Sequence, residues 1–127
     1  MENVIRQAIP LKLLLLDVDG VLTDGRITYS SAGEELKTFH IHDGLGIKLL
    51  QQAGVQVGII TGRSSPMVTR RANELGINYL LQGREDKWVA LQSIQRELGL
   101  SLDEIAYMGD DLPDLSAIHH AGLGVAP

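Results

Sequence analysis

The chain has no cysteine, which excludes disulfides, thiolate-held zinc and thiol nucleophiles and leaves oxygen and imidazole as its metal-binding chemistry. Long apolar runs are missing as well: Leu13 to Leu16 is far too short to cross a bilayer. Met1 to Pro10 carries Glu2 and Arg6 and no extended apolar stretch ahead of a small-residue cleavage site, so no secretory signal is expected and the cytoplasm is the expected location. Nor is there an excess of basic charge. A formal charge of −5 and a pI near 5.2 argue against a nucleic-acid partner, which needs a basic stripe to meet the phosphates. An acidic protein acting on an anionic substrate needs local cations.

What remains is an ordinary globular composition, 44% hydrophobic and 21% charged over 127 residues. A domain of this size buries roughly two-thirds of the surface of its unfolded chain. Gly54, Gly76, Gly99 and Gly122 stand 22, 23 and 23 residues apart, each closing a stretch of helical periodicity before another apolar run. Leu45, Leu49 and Ala53 predict one helix face, followed by a strand over Val55 to Ile60. Ser64 or Ser65 caps the next helix, with Pro66 in its first turn and Val68, Ala72 and Leu75 on its inner face. A strand over Ile77 to Leu81, a helix with Leu91, Ile94 and Leu98 inward, a strand over Ile105 to Met108, a helix over Leu112 to His120 and a strand from Leu123 complete the series.

Alternating strands and helices at this spacing predict a doubly wound, Rossmann-like α/β domain with a parallel sheet. Arg26 to Ile41 breaks the rhythm. Ile27 and Tyr29 alternate, Ser30 to Gly33 reads as a turn, and Leu36 to Ile41 follows, so a β-hairpin is expected after the first strand, either as a plain edge feature or as a flap or subunit contact.

Ligands of open parallel sheets bind beyond the carboxyl ends of the strands. There the sequence places Asp17 and Asp19; then Thr61, Gly62 and Arg63; then Gly83, Arg84 and Lys87; then Gly109, Asp110, Asp111 and Asp114. Asp17, Asp19 and Asp110 would repel one another in a crevice unless a cation joined them, and an all-oxygen set favours magnesium. A single Asp-x-Asp is equally served by helix capping or a turn. Thr61 with the amides around Gly62 can cradle phosphate oxygens, and Lys87, at a helix start where an ammonium is mildly unfavourable, suits an anion. Taken singly, Thr61 could be a turn residue and Lys87 a solvated charge; at four strand ends together they favour a metal-assisted phosphate site.

The ordered series Asp17-Val18-Asp19-Gly20-Val21-Leu22-Thr23-Asp24-Gly25, Thr61-Gly62-Arg63, Lys87 and Gly109-Asp110-Asp111-Leu112-Pro113-Asp114 resembles the haloacid dehalogenase superfamily of phosphohydrolases. Gly33-Glu34-Glu35-Leu36-Lys37 and Asp43-Gly44-Leu45-Gly46 resemble its sugar-acid phosphatases, and the similarity runs from about Leu11 to Pro127. The resemblance implies a small-molecule sugar phosphate as substrate and an aspartyl-phosphate on Asp17. It implies that Asp19 protonates the leaving alkoxide and later deprotonates water, and that Thr61 and Lys87 hold the phosphoryl oxygens. Magnesium would be held by Asp17, the backbone carbonyl of Asp19 and Asp110, with Asp111 and Asp114 orienting that set. Arg63 and the Asp43-Gly44 loop would approach the sugar acid, Arg63 having a surface ion pair as its plain alternative.

His42 stands where these relatives usually carry arginine, and a neutral imidazole grips a carboxylate less firmly. His40, His119 and His120 are expected to be surface or packing residues. Relatives continue past the equivalent of Pro127 with another strand and a tail that covers a neighbouring subunit's site, and they usually form homotetramers through the hairpin. Two other classes use similar residues: a signalling receiver domain, and a noncatalytic relative such as the phosphatase-like module of sialic-acid cytidylyltransferases. A receiver carries its phospho-acceptor after a middle strand, whereas here Ile77 to Leu81 runs into Gln82 and Gly83. Intact Asp17, Asp19, Lys87 and Asp110 argue against a decayed site.

Overall fold

The computed structural model describes residues 1–127. Five parallel strands form one sheet: β1 (Leu13–Leu16), β4 (Gln56–Ile60), β5 (Tyr79–Leu81), β6 (Ile105–Met108) and β7 (Leu123–Val125), in the order β5-β4-β1-β6-β7. β1 lies in the middle, with Leu15 beside Gly58 on one side and Tyr107 on the other. The first core strand is therefore central and the sheet reverses direction of growth next to it, which is where a doubly wound fold places its site. In sequence order of the core strands this is 3-2-1-4-5. A receiver domain runs 2-1-3-4-5, so the topology sets that class aside.

Successive side chains of β1 point to opposite faces, and each face has its own core. Leu16, Val57 and Ile59 pack with Ile47 of α2 (Ile41–Gln52) and with Val68 and Ala72 of α3 (Pro66–Glu74). Leu13, Leu15, Ile60, Ile105 and Tyr107 pack with Ala90, Leu91 and Ile94 of α4 (Lys87–Leu98) and Ala117 of α5 (Leu115–His120). Each fully buried leucine or isoleucine contributes roughly 2 kcal/mol. Local chemistry sets the helix ends. Ser65 Oγ accepts from the Met67 amide at 3.2 Å with Pro66 next, and Gly99 closes α4 in the left-handed conformation at φ +66°.

The structure corrects the sequence expectations in four places. Leu45 and Leu49 of α2 are exposed, and the helix faces the sheet through Gly44 and Ile47 with Leu50 half-buried. Both stripes are apolar, and the sheet takes the one containing Gly44, where the helix backbone comes close enough for the Arg71 guanidinium to occupy the space of a Cβ. The hairpin is present but short, pairing β2 (Thr28–Tyr29) with β3 (Glu35–Leu36); its predicted second strand stops at Leu36 because His40 already caps α2 through Nδ1 and the His42 amide. The helix expected over Leu112 to His120 divides into a 3₁₀ turn, Leu112–Asp114, and α5, with Pro113 inside the turn. The N-terminal helix α1 (Glu2–Ala8) buries no residue, so no apolar periodicity announced it. No helix is long and apolar enough to cross a membrane.

Candidate active site

The carboxyl ends of β1, β4 and β6 and the start of α4 surround an open cavity of about 260 Å³ in whose lining the Pro113 ring is the apolar side chain. Six carboxylates, those of Asp17, Asp19, Glu85, Asp110, Asp111 and Asp114, face it against two cations, Arg63 and Lys87. Thr61 and Gly62 complete the wall contributed by β4. Thr61 is fixed by its own backbone, which donates to the Leu81 carbonyl at 2.9 Å and accepts from the Arg84 amide at 2.9 Å.

Two glycines make the carboxylate packing possible. At Gly20, φ is +86° and a Cβ would overlap the Asp110 carboxylate; at Gly109 a Cβ would overlap that of Asp114. The loops after β1 and β6 are thereby pressed together until Asp17, Asp110 and Asp114 can bring one oxygen each to within 4.8 Å of one another.

Lys87 is buried, 3% exposed, with Nζ 2.8 Å from Asp114 Oδ1 and 3.2 Å from Asp17 Oδ1. A buried ammonium is tolerated only when paired, so Lys87 is no solvated helix-start charge. Tyr107, fully buried on β6, donates its hydroxyl hydrogen bond to Asp114 Oδ1, while Asp114 Oδ2 accepts from the amides of Asp110 and Asp111 at 3.2 Å each. Burial pushes the Asp114 carboxyl upward, but the hydrogen bonds from Lys87 and Tyr107 outweigh it and hold the group below its ordinary range. Tyr107 is pushed up, first by burial and then by Asp114. Asp17 has weaker support, from Lys87 and the Val18 amide. Burial raises its carboxyl to about 6 despite the opposing charge of Lys87.

This division of labour decides which oxygens suit a metal. Both Asp114 oxygens already have partners, whereas Asp110 is exposed and Asp17 is raised by its own desolvation, so the pair Asp17 and Asp110 fits a hard divalent cation and Asp114 serves to hold Lys87. Asp111, expected near the metal, caps the 3₁₀ turn by accepting from the Leu112 amide at 2.7 Å.

Asp19 lines the same cavity, but its carboxylate is turned to the hairpin. Its Oδ1 takes Lys37 Nζ at 2.7 Å and its Oδ2 stands 4.0 Å from Arg63 Nε. Side-chain ligation beside Asp17 is not the geometry seen, which leaves its main chain as the part the resemblance assigns to a metal. Arg63 is paired with Glu35 at 2.6 Å, the surface ion pair expected of it, and also lines the cavity. Asp43 lines a different cavity, of about 560 Å³, with Asp24, His40 and His42, and Gly44 is buried under Arg71. His120 stacks on Trp88, ring centroids 4.2 Å apart, with His119 edge-on to it.

Tyr107, Glu85 and the pair Glu35 and Lys37 were not given roles from sequence. Tyr107 reads as one more apolar strand residue, and only its position one residue before Met108 at the end of β6 could have flagged its hydroxyl.

Sheet order and carboxylate placement together are those of an aspartate-based α/β hydrolase. The family model of the haloacid dehalogenase-like hydrolases matches residues 45–122, and the chain belongs to this family. It is 44% identical over 125 residues to the 3-deoxy-D-manno-octulosonate 8-phosphate phosphatase of Yersinia pestis, covering 98% of this chain and 67% of that protein. The enzyme of the same name from Haemophilus influenzae is 42% identical over 116 residues, 91% of this chain and 64% of its own length. The chain thus spans about two-thirds of these curated relatives. A crystal structure of the Moraxella catarrhalis phosphatase of that name, in complex with magnesium, phosphate and KDO, superposes with a TM-score of 0.97 at 50% identity, covering 99% of this chain and 72% of that one.

Proposed function

We propose that the chain is a magnesium-dependent phosphatase that releases phosphate from 3-deoxy-D-manno-octulosonate 8-phosphate. The observation that carries the chemistry is the placement of Asp17: buried at the end of the central strand, 3.2 Å from the Lys87 ammonium, with Asp110 uncommitted beside it. The choice of sugar acid is supported by the names of relatives 42 to 44% identical over nearly the whole chain.

Magnesium, held by Asp17, Asp110 and the Asp19 main chain, would neutralise charge at the phosphoryl group and at the carboxylates. Asp17 attacks phosphorus with an ionised oxygen, and the sugar alkoxide leaves with the proton of the Asp19 carboxyl. Water then attacks phosphorus as Asp19 takes its proton, and the bond to Asp17 breaks to give inorganic phosphate. Thr61 and the Lys87 ammonium meet the phosphoryl oxygens, where charge grows in the transition state. Asp111 and Asp114 keep this set in place, the second by anchoring Lys87. Arg63 offers a fork to the substrate carboxylate once it leaves Glu35, whereas Asp43, in the neighbouring cavity, and Gly44, buried under Arg71, take no part in this reading. A cytoplasmic location and a homotetramer built on the hairpin belong to the same reading.

The test is phosphate release from a panel of phosphorylated sugar acids with and without magnesium. Release from the octulosonate phosphate in preference to the others, dependent on the metal, is the expected result. Preference for another sugar phosphate reassigns the substrate and keeps the chemistry; no release from any of them by folded protein sinks the reading.

A further inference from the structure

The hairpin sends two charged side chains back to the catalytic loops. Lys37, on the residue after β3, is 2% exposed along its side chain, with Nζ 2.7 Å from Asp19 Oδ1 and 2.8 Å from Glu35 Oε1. Glu35 Oε2 takes Arg63 Nη2 at 2.6 Å, and Arg63 Nε lies 4.0 Å from Asp19 Oδ2. Two carboxylates and two cations close a ring between the hairpin and the loops after β1 and β4. The members are not equivalent. Arg63 is 44% exposed and touches Asp19 only at the limit of an ion pair, whereas the Lys37 side chain is buried and in full hydrogen-bond contact. Lys37 does not line the cavity that Asp19 and Arg63 line. It therefore acts on Asp19 from behind the wall.

We propose that Lys37 is the positioning residue for Asp19, fixing the rotamer from which that carboxyl exchanges its proton with the leaving group and with water. This rests on the role given to Asp19 under the proposed function. An ammonium 2.7 Å from Oδ1 restricts how the Asp19 carboxylate can turn, while its Oδ2 stands 4.0 Å from Nε of Arg63, the residue with which Asp19 shares the cavity wall. A reacting group misplaced by about 1 Å can cost on the order of 100-fold in rate. The hairpin, beyond any part in subunit contact, is then a lever on proton transfer.

Leaving-group chemistry separates positioning from general support of the fold. A sugar alkoxide cannot depart without a proton; p-nitrophenolate can. Rapid-quench measurement of phosphoenzyme formation in the magnesium-loaded full chain is to be made with the octulosonate phosphate and with p-nitrophenyl phosphate, in wild type, Lys37→Met and Lys37→Arg. For Lys37→Met the rate with the sugar phosphate falls about 10- to 100-fold with KM little changed, while the p-nitrophenolate burst falls less than about threefold. Lys37→Arg, which keeps a cation against Asp19 in altered geometry, gives an intermediate loss confined to the sugar phosphate, and it carries the test if the methionine variant does not fold. Parallel losses on both compounds, a loss expressed in KM alone, or no loss overturn the Lys37 role while the hydrolase reading stands. Wild-type protein that forms no phosphoenzyme from either compound overturns both.

Discussion

Lys87 Nζ stands 3.2 Å from Asp17 Oδ1 and, on its other side, 2.8 Å from Asp114 Oδ1, so one buried ammonium joins the carboxylate at the end of β1 to the one that anchors the loop after β6. Removing it leaves two buried carboxylates facing each other. Lys87→Met should destabilise the fold by about 3–5 kcal/mol, the usual cost of breaking a buried pair from one side. Turnover should fall by about 100- to 1000-fold, since a donor to the phosphoryl oxygens goes with it. Denaturant unfolding of the variant, with and without Asp114→Asn, checks the first. The double variant should lose less than the sum of the two single ones, and additive losses would mean that the two groups do not act as a pair.

Asp17→Asn should abolish turnover without harming the fold. Burial works against the Asp17 charge strongly enough to raise its carboxyl to about 6, so a neutral amide of the same shape relieves that cost, while Lys87 keeps Asp114. The expected outcome is a metal-free variant with a Tm equal to or above wild type and no phosphate release. Substantial residual activity would remove Asp17 as the nucleophile.

The same group predicts the pH response of the metal-free protein. With its carboxyl raised from 3.8 to about 6, the folded state holds this proton more tightly than the unfolded chain, so stability falls as pH rises from about 4 to about 6 and is level above. The contribution is at most about 3 kcal/mol. Asp114, held below its ordinary range, works in the opposite sense: its stabilisation is present above pH 4 and is lost as pH falls through its lowered pKa. With Asp17 as a magnesium ligand the metal takes its ionised form, so the rise in Tm on adding magnesium should be small at pH 5 and larger at pH 7.5. Equal rises at the two values would contradict this assignment.

How far the sequence alone could reach is clearest at particular residues. Strand ends were legible because β1, β4 and β6 are short apolar runs stopped by Asp17, by Thr61-Gly62-Arg63 and by Gly109-Asp110, and buried parallel strands do not continue into polar and charged residues. The parallel, doubly wound arrangement then followed from connection rules, while the strand order is set by pairings the sequence does not show. Direction was not legible within α2, where Leu45 and Leu49 make as good a stripe as Ile47 and Leu50; in the fold the side carrying Gly44, under Arg71, and Ile47 is the one that packs. Residue type and spacing, without the resemblance, do not divide the acidic residues by task. Asp110, Asp111 and Asp114 are alike on paper, yet one is open, one caps a turn and one is buried under Tyr107 and Lys87, a distinction made by contacts 7 and 27 residues away. The ring of Asp19, Arg63, Glu35 and Lys37 is equally nonlocal.

Gly20 tests whether close packing of two loops creates the metal site. Its φ of +86° disfavours any side chain, and a Cβ there would meet the Asp110 carboxylate. Gly20→Ala should cost about 1–2 kcal/mol in stability. It should weaken magnesium binding disproportionately, because Asp110 must move away from Asp17. Calorimetric titration with magnesium should therefore show a loss in affinity that Gly46→Ala, at an exposed helical glycine with open space around it, does not share. Equal magnesium affinities for the two variants would mean that Asp110 is not a ligand.

The exposed apolar residues predict association. Ile27, Tyr29 and Leu36 of the hairpin segment and Ile41, Leu45 and Leu49 of α2 are all exposed, and the last three recur every four residues along one helix face. A monomer seldom leaves so many large apolar groups open. The ring that fixes Lys37 also ties the hairpin to the catalytic loops, so covering these residues in an assembly would hold Asp19 still as well as exclude water. Light scattering should find a tetramer, and Leu45→Glu with Leu49→Glu should dissociate it, because two carboxylates cannot be desolvated in an apolar contact. The dissociated form should keep its magnesium affinity, since Asp17 and Asp110 lie within one chain, and lose turnover of the sugar phosphate. A wild-type protein that stays monomeric at every concentration tested would overturn the assembly and leave the site within the single chain unaffected.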